Sequence, residues 1–384
     1  MVYNNVCATT KRKPPTTLDH VRTAATAIAD ALLPTKRRIL RRQQSLPPPV
    51  SPLPFSSTQR FLPTTLYIGQ ISPSVYKCSE VSLSWHEVED EQHSLTCSVS
   101  ALCRAKYSTV CITRVGHASM LINMFGTTVL TDPVLSERVG INVLGRIIGI
   151  DRYTPPALTF QQIPQPDLIV LSHAHFDHTD IPTLQMFSSS YPYAIDVVCA
   201  RNTADVIEHL PWKAVYELDW GQDISIHTAH QGSITIRALE VAHNGWRYPW
   251  ERDRSNGYTV SGRSYNAYLL EKAGKRIVFG GDTAWTESFV ELRSHGVDVA
   301  MMPIGAYQGY ESLHCTPEQA LAMAEMMNAE VFIPIHFGTF YQTSEEPDEP
   351  LKRLYSAAPL YSGTLALTEH TGCYVLTAEI METR

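Results

Sequence analysis

Between about residues 107 and 345 the apolar positions come in short β-branched runs, each closed by glycine or a polar turn. "TVCITRVG", "ASMLINMFG" and "TTVLTDP" follow one another with glycine turns and predict a meander. "DLIVLSH", "IDVVCA", "AVYEL", "ISIH" and "SITIRALEVAH" predict further strands. "SYNAYLLEKAGKRIVFGGDT" predicts two more, joined by a turn at Ala273-Gly274, and "VDVAMMPIG" and "AEVFIPIHFGTF" close the series. Helical spacing stands out in "TPEQALAMAEMMNAE", with Thr316 as N-cap, Pro317 at the first helical position and Gln319 at the third. Strands in two similar halves, with occasional helices, predict an α/β (α+β) chain: two sheets face to face with helices outside.

The first hundred residues break this pattern. "KRKPP", "TKRRILRRQQ" and "SLPPPVSPLP" are basic and proline-rich tracts that cannot build a packed core. Residues 1–105 are therefore expected to form a largely disordered extension, and residues 106–384 the folded domain. Within the extension, "VRTAATAIADALLPTKRRILRR" reads either as a transit-like or membrane-surface helix or as a solvated basic tail. Residues 75–105 give no clear signal.

Charge follows the same division. Residues 1–60 carry ten Lys/Arg against two Asp, which leaves 21 basic and 36 acidic residues for the remainder. An acidic body argues against nucleic acid as a partner. The eight cysteines contain no CxxC pair and no regular spacing, so reduced, mostly buried thiols are expected rather than a zinc ribbon or a disulfide framework. No apolar run reaches the 18 residues that a membrane span needs. The cytoplasm, including the inner membrane surface, is the default location, with an N-terminal targeting role left open.

One loop carries most of the chemistry. Straight after "DLIVL", the stretch "LSHAHFDHTD" places three histidines and two aspartates in eight positions. Such a crowd repels itself when charged and loses hydration when buried, unless a divalent cation offsets both. In "HAHFDH", His173 and His175 can converge on one metal, while Asp177 and His178 can hold a second. Further ligand types stand just past other apolar strands: His243 after "ITIRALEVA", Asp282 after "RIVFGG" and His336 after "EVFIPI". Each alone is more often a turn residue, but together with the first loop they predict one dinuclear site.

This order resembles the metallo-β-lactamase superfamily of hydrolases. "RVGHASMLI", "TTVLTDPV", "GDTAW", "MPIGAY", "HCTPEQA" and "IHFGTF" are similar to the branch that contains the N-acylphosphatidylethanolamine-hydrolysing phospholipase D and the ascorbate-6-phosphate lactonase. The resemblance implies a four-layer αββα sandwich. It implies that His173, His175 and His243 hold one zinc, that Asp177, His178 and His336 hold the other, and that Asp282 bridges them, so Asp177 and Asp282 count as catalytic. Two zinc ions roughly 3.5–4 Å apart would share a water whose pKa falls to about 7, giving a hydroxide nucleophile. A donor set of imidazoles and carboxylates suits zinc, and accepts iron or manganese.

Further residues are candidates around that centre. His314, in "HCTPEQA", is expected as general acid or oxyanion stabiliser, against a plain loop histidine. Asp132 and His117 are expected to orient ligand imidazoles from the "TDP" and "GHAS" turns, against a plain turn-capping role for each. Tyr307, Arg247, Arg252 and Arg254 are expected to touch substrate, the arginines by meeting phosphate, unless the segment after His243 is an ordinary arginine-rich surface loop. The apolar stretch "VGINVLGRIIGI" (139–150) reads either as a segment that dips into a lipid interface or as a core-facing lid. The leading function is a zinc phosphodiesterase acting on N-acyl phosphatidylethanolamine or a related phospholipid, with peripheral membrane contact and a homodimer left open. The alternatives are a lactonase or small-molecule phosphodiesterase, and an inactive metal-binding or scaffold protein.

Overall fold

In the computed structural model the described residues are 75–76, 109–228, 232–369 and 372–377. All of them lie in one unit spanning Ile68–Arg384. The expectation of a disordered extension falls outside the described residues, apart from a two-residue strand. In chain order the elements are β1 (Val75–Tyr76), β2 (Thr109–Gly116), β3 (Ser119–Met124), β4 (Thr127–Thr131), β5 (Arg138–Val143), β6 (Arg146–Asp151), β7 (Leu168–Leu171), α1 (Ile181–Ser190), β8 (Asp196–Ala200), α2 (Ala204–Ile207) and β9 (Ala214–Leu218). There follow β10 (Asp223–His227), β11 (Ser233–Leu239), β12 (Ala267–Lys272), β13 (Lys275–Phe279), β14 (Val297–Pro303), α3 (Pro317–Met326), β15 (Ala329–Ile335), α4 (Glu349–Ala357), β16 (Thr364–Leu365) and β17 (Cys373–Thr377).

The first sheet runs β1-β17-β2-β3-β4-β7-β8-β9 and the second β10-β11-β12-β13-β14-β15-β16. Strand alternation explains their stacking. In β2, Val110 and Ile112 enter a core shared with Ile236, Tyr268, Ile277 and Phe279 of the second sheet, whereas Cys111 and Val115 face the opposite way. That outward face is covered by Leu184 and Phe187 of α1. The outer face of the second sheet is covered by Leu321 and Ala324 of α3 and Leu354 of α4. The layers are therefore helix, sheet, sheet, helix, the architecture the resemblance implies.

Most of the predicted strands appear where the apolar runs place them. Thr316 caps α3 through a reciprocal capping box with Gln319, and Ala273-Gly274 turn with left-handed φ values of 49° and 78°. Helices α1 and α4 were not foreseen. The buried face of α1 includes Thr183 and Ser188, so its apolar periodicity is weak, whereas α4 buries Pro350, Leu354 and Ala357 at helical spacing but spans only nine residues. The thiol expectation fits Cys199 and Cys315, which are buried and free, but Cys373 is disulfide-bonded.

Parallel pairing is what prepares a site. β4, β7, β8 and β9 run in one direction, as do β13, β14, β15 and β16, so each group ends at a common edge. The two edges meet: Asn266 N donates to Ser172 O at 3.0 Å, and His336 N to His117 O at 3.0 Å.

The stretch 139–150 corrects the lid reading. It forms an antiparallel ribbon, β5 with β6, outside both sheets. At its waist Gly140 opposes Gly149, where a Cβ on either would fall within about 2 Å of the other strand's backbone. Only its base is buried, and residues 141–146 are exposed.

Candidate metal centre

Every ligand type expected from the sequence lies at the joined sheet edge. His117 sits in the β2–β3 turn, Asp132 just past β4, His173 to His178 past β7, His243 past β11, Asp282 past β13 and His336 past β15. His117, Asp132 and His336 hold left-handed backbone, with φ of 54°, 31° and 58°, a strain that clusters at functional sites. Gly281 (φ 55°) lets the Asp282 turn approach the first loop, since a Cβ there would lie 2.6 Å from Ser172 Cβ.

The donors fall into two groups that share one oxygen. His173 Nε2 lies 2.8 Å from His175 Nδ1, which lies 3.4 Å from His243 Nε2. Beside them, Asp177 Oδ2 is 3.4 Å from both His178 Nε2 and His336 Nε2. Asp282 Oδ2 stands between the groups, 3.1 Å from His178 and His336 Nε2, 3.8 Å from His243 and 4.0 Å from His173. His178 Nε2, His336 Nε2 and Asp282 Oδ1 are buried without a hydrogen-bond partner. Burying unpaired polar atoms is costly, and a divalent cation would satisfy them, so the residues fit the metals that the sequence pattern implies.

On His178, His243 and His173 the other ring nitrogen is already committed, which points the free one inward. His178 Nδ1 donates to Asp132 Oδ2 at 2.6 Å, and His243 Nδ1 to Leu313 O at 2.8 Å. His173 Nδ1 lies 2.9 Å from Ser172 Oγ, which itself donates to Asp132 Oδ2 at 2.5 Å. Asp132 also accepts from Ser172 N at 2.7 Å. His117 Nε2 (3.0 Å) and Gln342 Nε2 (2.6 Å) both approach Asp177 Oδ2. Asp132→Asn is expected to weaken metal binding about 10- to 100-fold. Chelator competition measures this, and an unchanged affinity would remove Asp132 from the support of the centre.

Electrostatics set the protonation. Burial opposes ionisation of Asp177 and Asp282, yet the neighbouring His178 and His336 hold both carboxyls well below the usual range. Burial holds His173 and His243 well below the imidazole range, so they present lone pairs at neutral pH. Burial acts likewise on His336, but Asp282 and Asp177 outweigh it and push it up to about 9; His178 is raised in the same way. A cation must displace those protons, and their loss is complete only above the raised pKa values. Apparent metal affinity is thus expected to fall as pH drops from 9 toward 6, about tenfold per unit for each displaced proton. Calorimetry in buffers of different ionisation enthalpy measures the release, and a pH-independent affinity would contradict it.

His314 also reaches the centre. Its Nδ1 lies 3.7 Å from Asp282 Oδ2, buried and without a hydrogen-bond partner, and the ring stacks on His336. Burial holds it down to about 4, so it is neutral near pH 7.

The expected substrate contacts are not assembled. Arg247 is buried, donates to Ala174 O (2.7 Å) and Thr179 O (2.9 Å), and lies over the Phe176 ring, so it braces the His173–His178 loop. Arg252 lies over Tyr258, and Arg254 is paired with Asp219 and packed on Trp220. Tyr307 donates its hydroxyl to Glu349 at 2.9 Å, beneath Arg353. Internal partners thus take the polar groups of Arg247, Arg254 and Tyr307, whereas Arg252 is exposed, with the Tyr258 ring 5.1 Å from its guanidinium. Ser172 and Gln342 were missed; Ser172 stands at a strand end just before His173, which is a usable signal, and Gln342 offers none.

Comparison with known proteins bears on the family and the fold. The family described as a beta-lactamase superfamily domain matches residues 127–337. An uncharacterized protein of Mycobacterium tuberculosis is 28% identical over 272 residues, covering 69% of this chain and 68% of its own. The N-acyl-phosphatidylethanolamine-hydrolyzing phospholipase D 1 of Caenorhabditis elegans is 29% identical over 278 residues, covering 68% and 74%. Among solved structures, an isothiocyanate hydrolase from Delia radicum gut bacteria superposes with a TM-score of 0.53 at 16% identity, covering 70% of this chain and 100% of its own. A metallo hydrolase of Ignicoccus hospitalis gives 0.50 at 18% identity, covering 71% and 100%. Both structural likenesses speak to the fold alone.

Proposed function

Because the chain belongs to the beta-lactamase superfamily and its histidine–aspartate cluster can hold metal, we propose that it is a two-zinc phosphodiesterase acting on N-acyl phosphatidylethanolamine or a related phospholipid. The observation that carries a two-metal reading is Asp282 Oδ2, which sits within 4.0 Å of ligand nitrogens from both groups. A carboxylate so placed can bridge. Bound divalent cations would supply neutralising charge to a phosphoryl oxygen and make a water acidic enough to ionise near neutrality.

The chain's own residues do the rest. Asp132 and Ser172 fix the His178 and His173 rings, and Leu313 O fixes His243, so donor geometry is set before substrate arrives. His314, neutral and unpaired, is suited to donate a hydrogen bond to the oxyanion rather than to carry a proton. With Arg247 and Arg254 committed elsewhere, substrate phosphate would be met at the metal centre itself. The named activity of the Caenorhabditis elegans relative supports a phospholipid substrate.

The test pairs metal analysis of the purified protein with hydrolysis of N-acyl phosphatidylethanolamine in mixed micelles. Water adds across the phosphodiester, so the expected products are phosphatidic acid and N-acylethanolamine. Hydrolysis of bis-p-nitrophenyl phosphate without any lipid turnover would move the protein to small soluble diesters. Less than one metal per chain and no turnover would favour the binding-protein alternative.

A further inference from the structure

The β5–β6 ribbon carries an apolar stripe that nothing among the described residues covers. Directly opposed residues of an antiparallel pair point to the same side, so Val139 with Ile150, Ile141 with Ile148, and Val143 with Arg146 share one face. The stripe begins at the metal centre. Val139 and Ile150 pack with Val134, Phe176 and Phe340, and Phe340 meets the His117 ring edge-on at 5.0 Å. It then runs outward through exposed Ile141, Ile148 and Val143 to Leu144, which is 101% exposed at the tip. On the other flank Phe176 meets Tyr248, which stacks on Trp250, 66% exposed.

A contiguous apolar projection of this kind marks a contact surface, and its charge selects the partner. Arg138 is paired with Asp151 at the base, at 2.6 Å. Arg146, beside Val143 near the tip, is exposed and makes no ion pair among the described residues. The outer half of the ribbon is thus apolar and cationic, on a body in which residues 61–384 carry 36 acidic against 21 basic groups. Anionic headgroups above acyl chains answer both features: the guanidinium stays at headgroup level, the aliphatic tip lies below, and the indole of Trp250 sits at the boundary. The glycine waist keeps the two strands close enough for a blade that such a boundary admits. No described helix is long and apolar enough to cross a membrane.

We propose that the tip of the β5–β6 ribbon, together with Trp250, inserts at the headgroup boundary of an anionic lipid bilayer and seats the metal centre at its surface. This deepens and rests on the phospholipid reading of the site, but its test does not pass through lipid turnover. The full chain, its Leu144→Asp/Ile148→Asp variant and its Leu144→Trp variant are sedimented with phosphatidylcholine vesicles with and without phosphatidylserine. Wild type is expected to sediment with the anionic vesicles, and the double variant to lose about tenfold or more of its bound fraction although it keeps the basic residues 1–60. Leu144→Trp is expected to gain blue-shifted emission on vesicle addition. Hydrolysis of bis-p-nitrophenyl phosphate, unchanged in both variants, reports an intact centre and separates this inference from the catalytic one. Equal sedimentation of wild type and double variant would overturn it. So would a wild-type dimer that ignores vesicles and dissociates on the double substitution, because a second copy would then cover the stripe.

Discussion

Asp282→Ala is expected to lower phosphodiester hydrolysis on the order of a thousandfold or more and to leave fewer than two cations per chain. Asp282 Oδ2 lies within 4.0 Å of the Nε2 of His173, His178, His243 and His336 together, so its removal takes a donor from both groups at once. It also removes the anion that most raises His178 and His336, leaving more positive charge uncompensated among any bound cations. Elemental analysis beside turnover distinguishes this from a purely catalytic loss. Two cations retained with near-normal turnover would show that Asp282 does not bridge. His314→Ala is the contrast, because it should slow turnover while metal content stays unchanged.

Arg114→Ala is expected to destabilise the fold by about 3 kcal/mol, since it opens a cavity and strands the buried Phe337 carbonyl. Arg114 is fully buried in β2. It donates to Phe337 O at 2.8 Å and Glu369 O at 3.2 Å, and its guanidinium lies 3.8 Å from the Phe337 ring centroid. Burial pulls its pKa down to about 10, which still leaves it charged at neutral pH. Lysine should not rescue the loss, because one ammonium cannot reproduce the planar fork. A melting curve lowered by several degrees is the expected reading, and an unchanged curve would mean that water satisfies both carbonyls. Phe337 follows His336, so the variant should also loosen that candidate ligand.

The sequence exposes the centre because metal donors are chemically conspicuous and sit where apolar runs stop. His173, His175, Asp177 and His178 stand out by density alone, while His243, Asp282 and His336 become legible only through their shared position past strands. The capping box at Thr316 is equally local, and it folds as its spacing predicts. What stays hidden depends on distant partners. Arg114 meets Phe337 across 223 positions, and nothing near either residue announces it. The arginines after His243 show the converse failure: an Arg-rich loop looks like an anion site until the structure shows that Arg247 holds two loop carbonyls and Arg254 holds Asp219. Tyr307 misleads for the same reason, since composition cannot show that Glu349 takes its hydroxyl.

The seam between the sheets has one more consequence. His173, His175, Asp177 and His178 hang from the first sheet, and His243, Asp282 and His336 from the second. A chain caught half-assembled would own only part of either donor group and so could not retain cations, whereas any cations bound there would draw the equilibrium toward the finished sandwich. In a cell short of divalent metal, the amount of intact protein would become a gauge of supply.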